Sequence, residues 1–253
     1  MSGVKAMSAT ERRRLILRTV RSGESVQVAD LARRLGVSQM SLRRDLARLA
    51  RVGKLTRVHG GAVTSEEDEP PFGVIEVERA AAKRAIGRAA AALVEDGQTV
   101  MIDIGTTTLA FARHLHGRPL TVITSSLAIV QELLPDSGIE LVVLGGIVRR
   151  NYRSLVGMLA EDALRQVSAD IAFLGTSGIR DDLAVMDTTM AETPIKRGMI
   201  RAAQRNILLA DAQKFSMGGT VRVCDLNDLD GLVTDAAADE PALARMTVEV
   251  VRA

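Results

Sequence analysis

The chain has 253 residues, enough for a small domain plus a larger one, and with four Phe, one Tyr and no Trp its core must be aliphatic. That scarcity of aromatics excludes a base-stacking surface for single strands, the lone Cys224 excludes an intrachain disulfide or a cysteine-built metal cluster, and no run of about 20 apolar residues reads as a membrane span. The net charge of +2 hides an asymmetry, because residues 1–63 hold 14 Lys/Arg against 4 Asp/Glu while residues 64–253 hold 19 against 27, so a polyanion is expected to bind the head alone.

The first element is a helix. Ser8 and Glu11 have capping-box spacing, Leu15, Ile16 and Val20 supply a buried face, and Ser22-Gly23 stops it. A second helix starts near Val28, buries Leu31, Ala32 and Leu35, and ends at Gly36 as a left-handed terminator. Ser38 caps a third helix whose Met40, Leu46 and Leu49 are expected in the core, with Gln39, Ser41, Arg43, Arg44 and Arg48 on its other faces. This is helix-turn-helix spacing, in which the last helix enters the DNA major groove. Arg can pair bidentately with guanine and Gln with adenine, while the remaining basic groups bind phosphate. Lys54 to His59 alternates like a strand, Gly60-Gly61 makes a tight turn, and Ala62-Val63 begins the return. In such a wing Arg57, His59 and Gly60 are candidate backbone or minor-groove contacts, although His59 equally suits a packing or capping role.

Residues 64–73, acidic and closed by Pro70-Pro71, read as a linker between a DNA-binding domain at 8–63 and a second domain at 74–253. A helix is expected over Glu76–Leu93. Strands follow at Thr99–Ile104, Thr121–Thr124, Glu140–Leu144, Ile171–Leu174, Asn206–Ala210, Leu232–Thr234 and Thr247–Val251. Helices at Thr107–Leu115, Leu127–Leu134, Gly157–Gln166 and Glu192–Ala203 lie between several of them. This alternation implies an α/β domain, a parallel sheet with helices on both faces.

Polar, Gly-rich stretches follow five of these strands, where ligands bind in parallel sheets. They are Asp103-Ile104-Gly105-Thr106-Thr107-Thr108, Thr124-Ser125-Ser126, Leu144-Gly145-Gly146 with Arg149 and Arg150, Gly175-Thr176-Ser177-Gly178, and Asp211 with Lys214. Gly105 permits close approach, and the free amides and hydroxyls after it can cradle a phosphate. Glu192 and Lys196 stand at i,i+4 spacing, which fits an intrahelical ion pair as well as a sugar contact.

Ser38 to Leu46 with Arg43-Arg44-Asp45-Leu46, then Arg57-Val58-His59-Gly60-Gly61-Ala62, resembles the DeoR family of bacterial transcriptional regulators. So do Asp103 to Thr108, Leu144-Gly145-Gly146, Arg153 to Gly157, Phe173-Leu174-Gly175, and Leu209-Ala210-Asp211 with Lys214-Phe215, so that the resemblance runs from about Glu11 to Asp235. It implies a winged helix-turn-helix followed by a sensor domain related to ribose-5-phosphate isomerase and glucosamine-6-phosphate deaminase. It also implies a phosphorylated sugar or related metabolite as effector. On this resemblance Gly105, Thr106, Thr107 and Thr108 hold the phosphate, while Asp103, Ser125, Gly146, Arg149 and Lys214 line the rest.

The expected protein is a cytoplasmic, non-enzymatic repressor of a carbohydrate-metabolism operon, without metal or cofactor. It works on double-stranded operator DNA as a homodimer or homotetramer and is released by its effector. The alternative is an isomerase- or deaminase-like enzyme with a DNA-binding head. Against it, the turn Thr176-Ser177-Gly178-Ile179 lacks the carboxylate that proton transfer next to a carbonyl requires.

Overall fold

The computed structural model describes Arg12, Leu15, Ile16 and residues 28–51, 56–58, 61–63, 71–237 and 239–253. The chain divides into two compact units, Met1–Glu69 and Pro70–Ala253. The capping box at Ser8–Glu11, the Ser22-Gly23 stop and most of the acidic linker lie outside the described residues.

In the first unit, Arg12, Leu15 and Ile16 are helical. Helices α1 (Val28–Arg34) and α2 (Gln39–Arg51) follow, then strands β1 (Thr56–Val58) and β2 (Gly61–Val63). Gly36 adopts φ +63, and the Gly36 and Val37 amides donate to Arg33 and Ala32 at 3.2 and 3.0 Å, the bond pair of a Schellman terminus. Ile16, Leu31, Ala32, Leu42, Leu46 and Leu49 form the core. Met40, expected among them, is 60% exposed, and Leu42 takes the buried place. Leu42, Leu46 and Leu49 recur at i, i+4 and i+7, and Met40 lies well off that stripe. In the antiparallel wing Val58 pairs with Gly61, so Gly61 opens the return strand instead of completing the turn. His59 and Gly60, between the strands, lie outside the described residues.

The second unit opens with α3 (Phe72–Val77) and α4 (Ala80–Ala91) where one helix over 76–93 was expected. Arg79, at φ +52, breaks them apart. Its guanidinium lies 2.7 Å from Asp235 and 3.4 Å from Asp211, which holds the break in place. Phe72 and Gly73, assigned to the linker from sequence, form the first turn of α3. The Phe72 ring is buried, and its amide donates to Asn151 O at 3.0 Å.

The remaining elements alternate. They are β3 (Thr99–Ile102), α5 (Thr106–Ala112), β4 (Leu120–Thr124), α6 (Leu127–Leu133), β5 (Ile139–Val143), β6 (Ile147–Arg149), β7 (Ser154–Val156), α7 (Met158–Leu164), β8 (Ala169–Leu174), β9 (Gly178–Ile179), β10 (Ala184–Asp187), α8 (Thr193–Ala202), β11 (Ala203–Leu209), β12 (Val221–Asp225), β13 (Gly231–Thr234) and β14 (Glu249–Arg252). Every strand predicted for this unit joins one parallel seven-stranded sheet, ordered β14-β13-β11-β8-β3-β4-β5. Alternation within the strands explains why its faces are covered on both sides. Val100, Ile102, Ile171, Phe173, Ile207 and Leu209 pack against α4, α5 and α6, while Met101, Ala172, Leu174, Leu208 and Ala210 pack against α7 and α8. The β6–β7 hairpin and the antiparallel β12-β10-β9 sheet were not predicted from sequence.

Candidate functional site

In the head, Ser38 Oγ accepts the Ser41 amide at 3.1 Å, and its hydroxyl donates to Ser41 Oγ at 3.0 Å, which caps α2. The first turn of α2 carries no acid, so its dipole can approach a phosphate without a competing charge. Gln39, Arg43, Arg44 and Arg48 are exposed and Ser41 is half-buried. Among the described residues no hydrogen bond or ion pair engages the side chains of Arg43, Arg44 or Arg48, which leaves three cations free for a polyanion. Asp45, in the same run, is different: it is buried and pairs with Arg12 Nε at 2.6 Å. Sequence reasoning gave Asp45 no role, although its i+3 spacing from Leu42 places it on the buried stripe. Arg57 lies in β1, and its side chain is not among those described.

In the second unit the chain runs outward from β3 through β4 to β5, then returns to place β8 on the other flank of β3. The strand order therefore reverses between β3 and β8, the place where open parallel sheets form a crevice beyond their C-terminal ends. Asp103 and Gly175 follow these two strands. The Gly175 amide donates to Asp103 Oδ2 at 2.9 Å, joining the two loops. A Cβ on Gly175 would stand 3.0 Å from Ile104 O, so only glycine allows this approach without displacement.

Gly105 precedes α5 at φ +134 and ψ 168, a region reserved for glycine. Thr106, Thr107 and Thr108 form the next turn, all buried. The Thr108 hydroxyl bonds back to Gly105 O at 3.0 Å, whereas the Thr106 and Thr107 hydroxyls make no hydrogen bond among the described residues. The first-turn amides have no intrahelical acceptor either, so donors collect at this point.

Lys196 of α8 reaches into the switch point. Its Nζ pairs with Asp103 Oδ2, donates to Gly175 O at 3.2 Å and lies 3.5 Å from Asp187 Oδ2. Burial alone would lower the Lys196 pKa, but the Asp103 and Asp187 carboxylates outweigh it and hold the ammonium charged. Lys214 follows β11, and its Nζ makes no hydrogen bond or ion pair among the described residues. Burial lowers its pKa against the opposing pull of Asp211. A desolvated cation with no direct ion pair suits an incoming anion.

Two expectations are corrected here. Arg149 does not extend towards a ligand: it is buried, and its Nη1 donates to Glu192 Oε1 at 2.5 Å and to Thr189 Oγ1 at 3.4 Å. Glu192 and Lys196 do not form the intrahelical pair that their spacing allows, because each has a closer partner from another element. Glu192 accepts from Arg149 and from the Ser154 hydroxyl at 2.6 Å. Its pKa is raised by burial, against the Ser154 hydrogen bond and the Arg149 charge. Gly146 is close to the backbone: a Cβ there would meet Val156 O at 2.5 Å, so it allows the β6–β7 hairpin to close. Ser125 is fully buried beside Ser126, whose Oγ caps α6.

No described helix is long and apolar enough to cross a membrane. The chain matches the DeoR-like helix-turn-helix domain over residues 12–68 and the DeoR C terminal sensor domain over residues 78–236. It is 35% identical to the uncharacterized HTH-type transcriptional regulator YgbI of Escherichia coli strain K12, over 93% of each chain. It is 33% identical to the putative aga operon transcriptional repressor of Escherichia coli O157:H7, over 99% of this chain and 96% of that one. Among solved structures, ribose 5-phosphate isomerase A from Methanocaldococcus jannaschii is similar at a TM-score of 0.39 and 20% identity over 53% of each chain. The chain belongs to the DeoR family, DNA-binding transcriptional regulators with a winged helix-turn-helix head and an α/β sensor domain, and its role is regulatory, not enzymatic.

Proposed function

We propose that this chain is a repressor of a carbohydrate-metabolism operon and leaves its operator when a phosphorylated sugar or related metabolite fills the crevice at the β3/β8 switch point. The observation that carries this reading is a set of donors that make no hydrogen bond or ion pair among the described residues: the Thr106 and Thr107 hydroxyls and the Lys214 ammonium. A phosphate monoester supplies acceptors for all of them. The name of the relative in Escherichia coli O157:H7, a putative aga operon transcriptional repressor, supports the repressor reading. The chain acts as a homodimer or homotetramer, so that paired heads meet symmetric half-sites. For the ligand to switch it, one DNA-binding state must hold the ligand more tightly than the other.

The test is fluorescence anisotropy on DNA from upstream of the gene, titrated with phosphorylated sugars and their unphosphorylated counterparts. Release by one phosphorylated compound and not by its free sugar is expected. Equal release by the free sugar, or none by any compound, overturns the reading.

A further inference from the structure

Among the described residues, three buried oxygens in this part of the fold have no well-formed hydrogen bond: Asp103 Oδ1, Ser125 Oγ and Glu192 Oε2. Asp103 and Ser125 are the residues immediately beyond Ile102 and Thr124, which pair at the ends of neighbouring strands. Glu192 is tied to the same place through β7. Its Oε1 takes the Ser154 hydroxyl at 2.6 Å, Ser154 bridges to Ser126, and the Leu155 amide donates to Ser125 O at 2.8 Å. The residues carrying these oxygens are all at least 99% buried. An acceptor buried without a donor is destabilising, so these three oxygens on connected elements mark where donors arrive from outside.

The charges around Glu192 are arranged for this. Arg149 and Ser154 both bond to Oε1, which leaves Oε2 as the bare edge of the carboxylate. Arg149 also packs its guanidinium over the Tyr152 ring at 5.2 Å, which further fixes its position. Lys196, one helical turn further along α8, fixes Asp103 Oδ2 in the same way and leaves Oδ1 bare. Each carboxylate therefore has one oxygen held by the protein and one presented. Burial raises the pKa of both carboxylates, opposed by Lys196 at Asp103 and by Ser154 and Arg149 at Glu192; in the ionised form each only accepts hydrogen bonds, so the group it meets must carry donors.

Resting on the reading of the crevice as the site of a phosphorylated ligand, we infer that Glu192 is a specificity-determining residue which, beside Asp103 and Ser125, accepts hydroxyl groups from the end of the ligand remote from its phosphate, and that Arg149 is its positioning residue. The ligand is then a phosphate ester of a polyol, with at least two hydroxyls at that end. Inorganic phosphate reaches only the donor side of the crevice.

The test is calorimetric titration of the full chain with inorganic phosphate, glycerol phosphate and a set of pentose, hexose and hexitol monophosphates. The quantity read is the ratio of polyol-phosphate affinity to inorganic-phosphate affinity. In the wild type this ratio exceeds about 10 for at least one polyol phosphate, and Glu192→Gln lowers it about tenfold, the loss of one charge-assisted hydrogen bond. Ser125→Ala deletes a hydroxyl with no hydrogen-bond partner among the described residues, so little fold stability is lost, and the ratio falls several-fold. Arg149→Lys lowers the ratio in the wild type and adds no further loss to Glu192→Gln, as expected of a group that acts through Glu192. An unchanged ratio in both Glu192→Gln and Ser125→Ala overturns the inference, as does a wild type that prefers no polyol phosphate. Failure to bind inorganic phosphate or any ester overturns the crevice reading itself.

Discussion

The Asp45 carboxylate of α2 lies 2.6 Å from Arg12 Nε, so the DNA-reading helix is tied by an ion pair to the helical residues that precede the motif. Both side chains are largely buried, and neither is available to DNA through that contact. Asp45→Ala is expected to destabilise the head by about 1–2 kcal/mol, a partly screened ion pair lost together with its hydrogen bond. Urea unfolding of the full chain measures this. A variant as stable as wild type contradicts the tie.

Arg43, Arg44 and Arg48 are exposed and make no hydrogen bond or ion pair among the described residues, and they should behave differently from Asp45. Replacing one that binds phosphate with Ala weakens all DNA sequences alike and reduces the slope of log affinity against log salt by about 1. Replacing one that reads a base relaxes specificity at a single position, at about 1–3 kcal/mol. Operator titrations across a salt series, with single-base operator variants, separate the two classes. Three variants that bind every sequence with wild-type affinity and slope would remove α2 from the interface.

Gly105 stands at φ +134 at the head of the loop proposed to cradle the phosphate. Gly105→Ala forces a side chain into a region that L-residues avoid and is expected to destabilise the sensor domain by about 1–3 kcal/mol. Inorganic phosphate binding should fall with it, because the loop amides are re-aimed. Calorimetry and thermal unfolding on the same sample test both effects, and unchanged binding would show that the loop is not the phosphate cradle.

If Lys214 contacts the proposed ligand, binding is expected to depend on pH in a defined direction. Its folded pKa lies below the ordinary 10.5 because of burial. Phosphate affinity therefore falls as pH rises through that lowered value, before an exposed lysine would titrate, and Lys214→Arg abolishes the fall. The stability term has the opposite sign. Between the lowered value and 10.5 the unfolded chain binds the extra proton, so stability from this group rises with pH, and its desolvation cost is fully present below the lowered pKa. Calorimetric affinities and unfolding midpoints over an alkaline series check the two trends. A wild-type affinity that stays flat until ordinary lysine titration contradicts the assignment.

The parts of this protein that were legible in its sequence are those set by local chemistry. Gly36 and Ser38 announce a helix end and a helix start, and both do what those residue types do. The strands of the parallel sheet were legible because burial on both faces demands continuous β-branched and aliphatic runs. Met40 and Leu42 were exchanged because a single turn of helix does not distinguish neighbouring apolar residues without the rest of the stripe. The break at Arg79 was invisible, since it is fixed by Asp211 and Asp235, more than a hundred residues away. Arg149 was misread for the same reason: an arginine after a strand offers itself equally to a phosphate or to Glu192, and only the packing of α8 decides. The strands β6, β7 and β9, of two or three residues, carry too few residues to show a period.

Occupancy of the β3/β8 crevice is proposed to control the grip on DNA. The most direct test is operator release in the anisotropy assay, comparing wild type with Lys214→Met across a titration of the phosphorylated compound that releases the wild type. Half-release of Lys214→Met is expected to require at least about ten times more compound, the loss of one charge-assisted contact to phosphate. Release of both proteins at the same concentration would place the controlling ligand elsewhere and contradict the central claim.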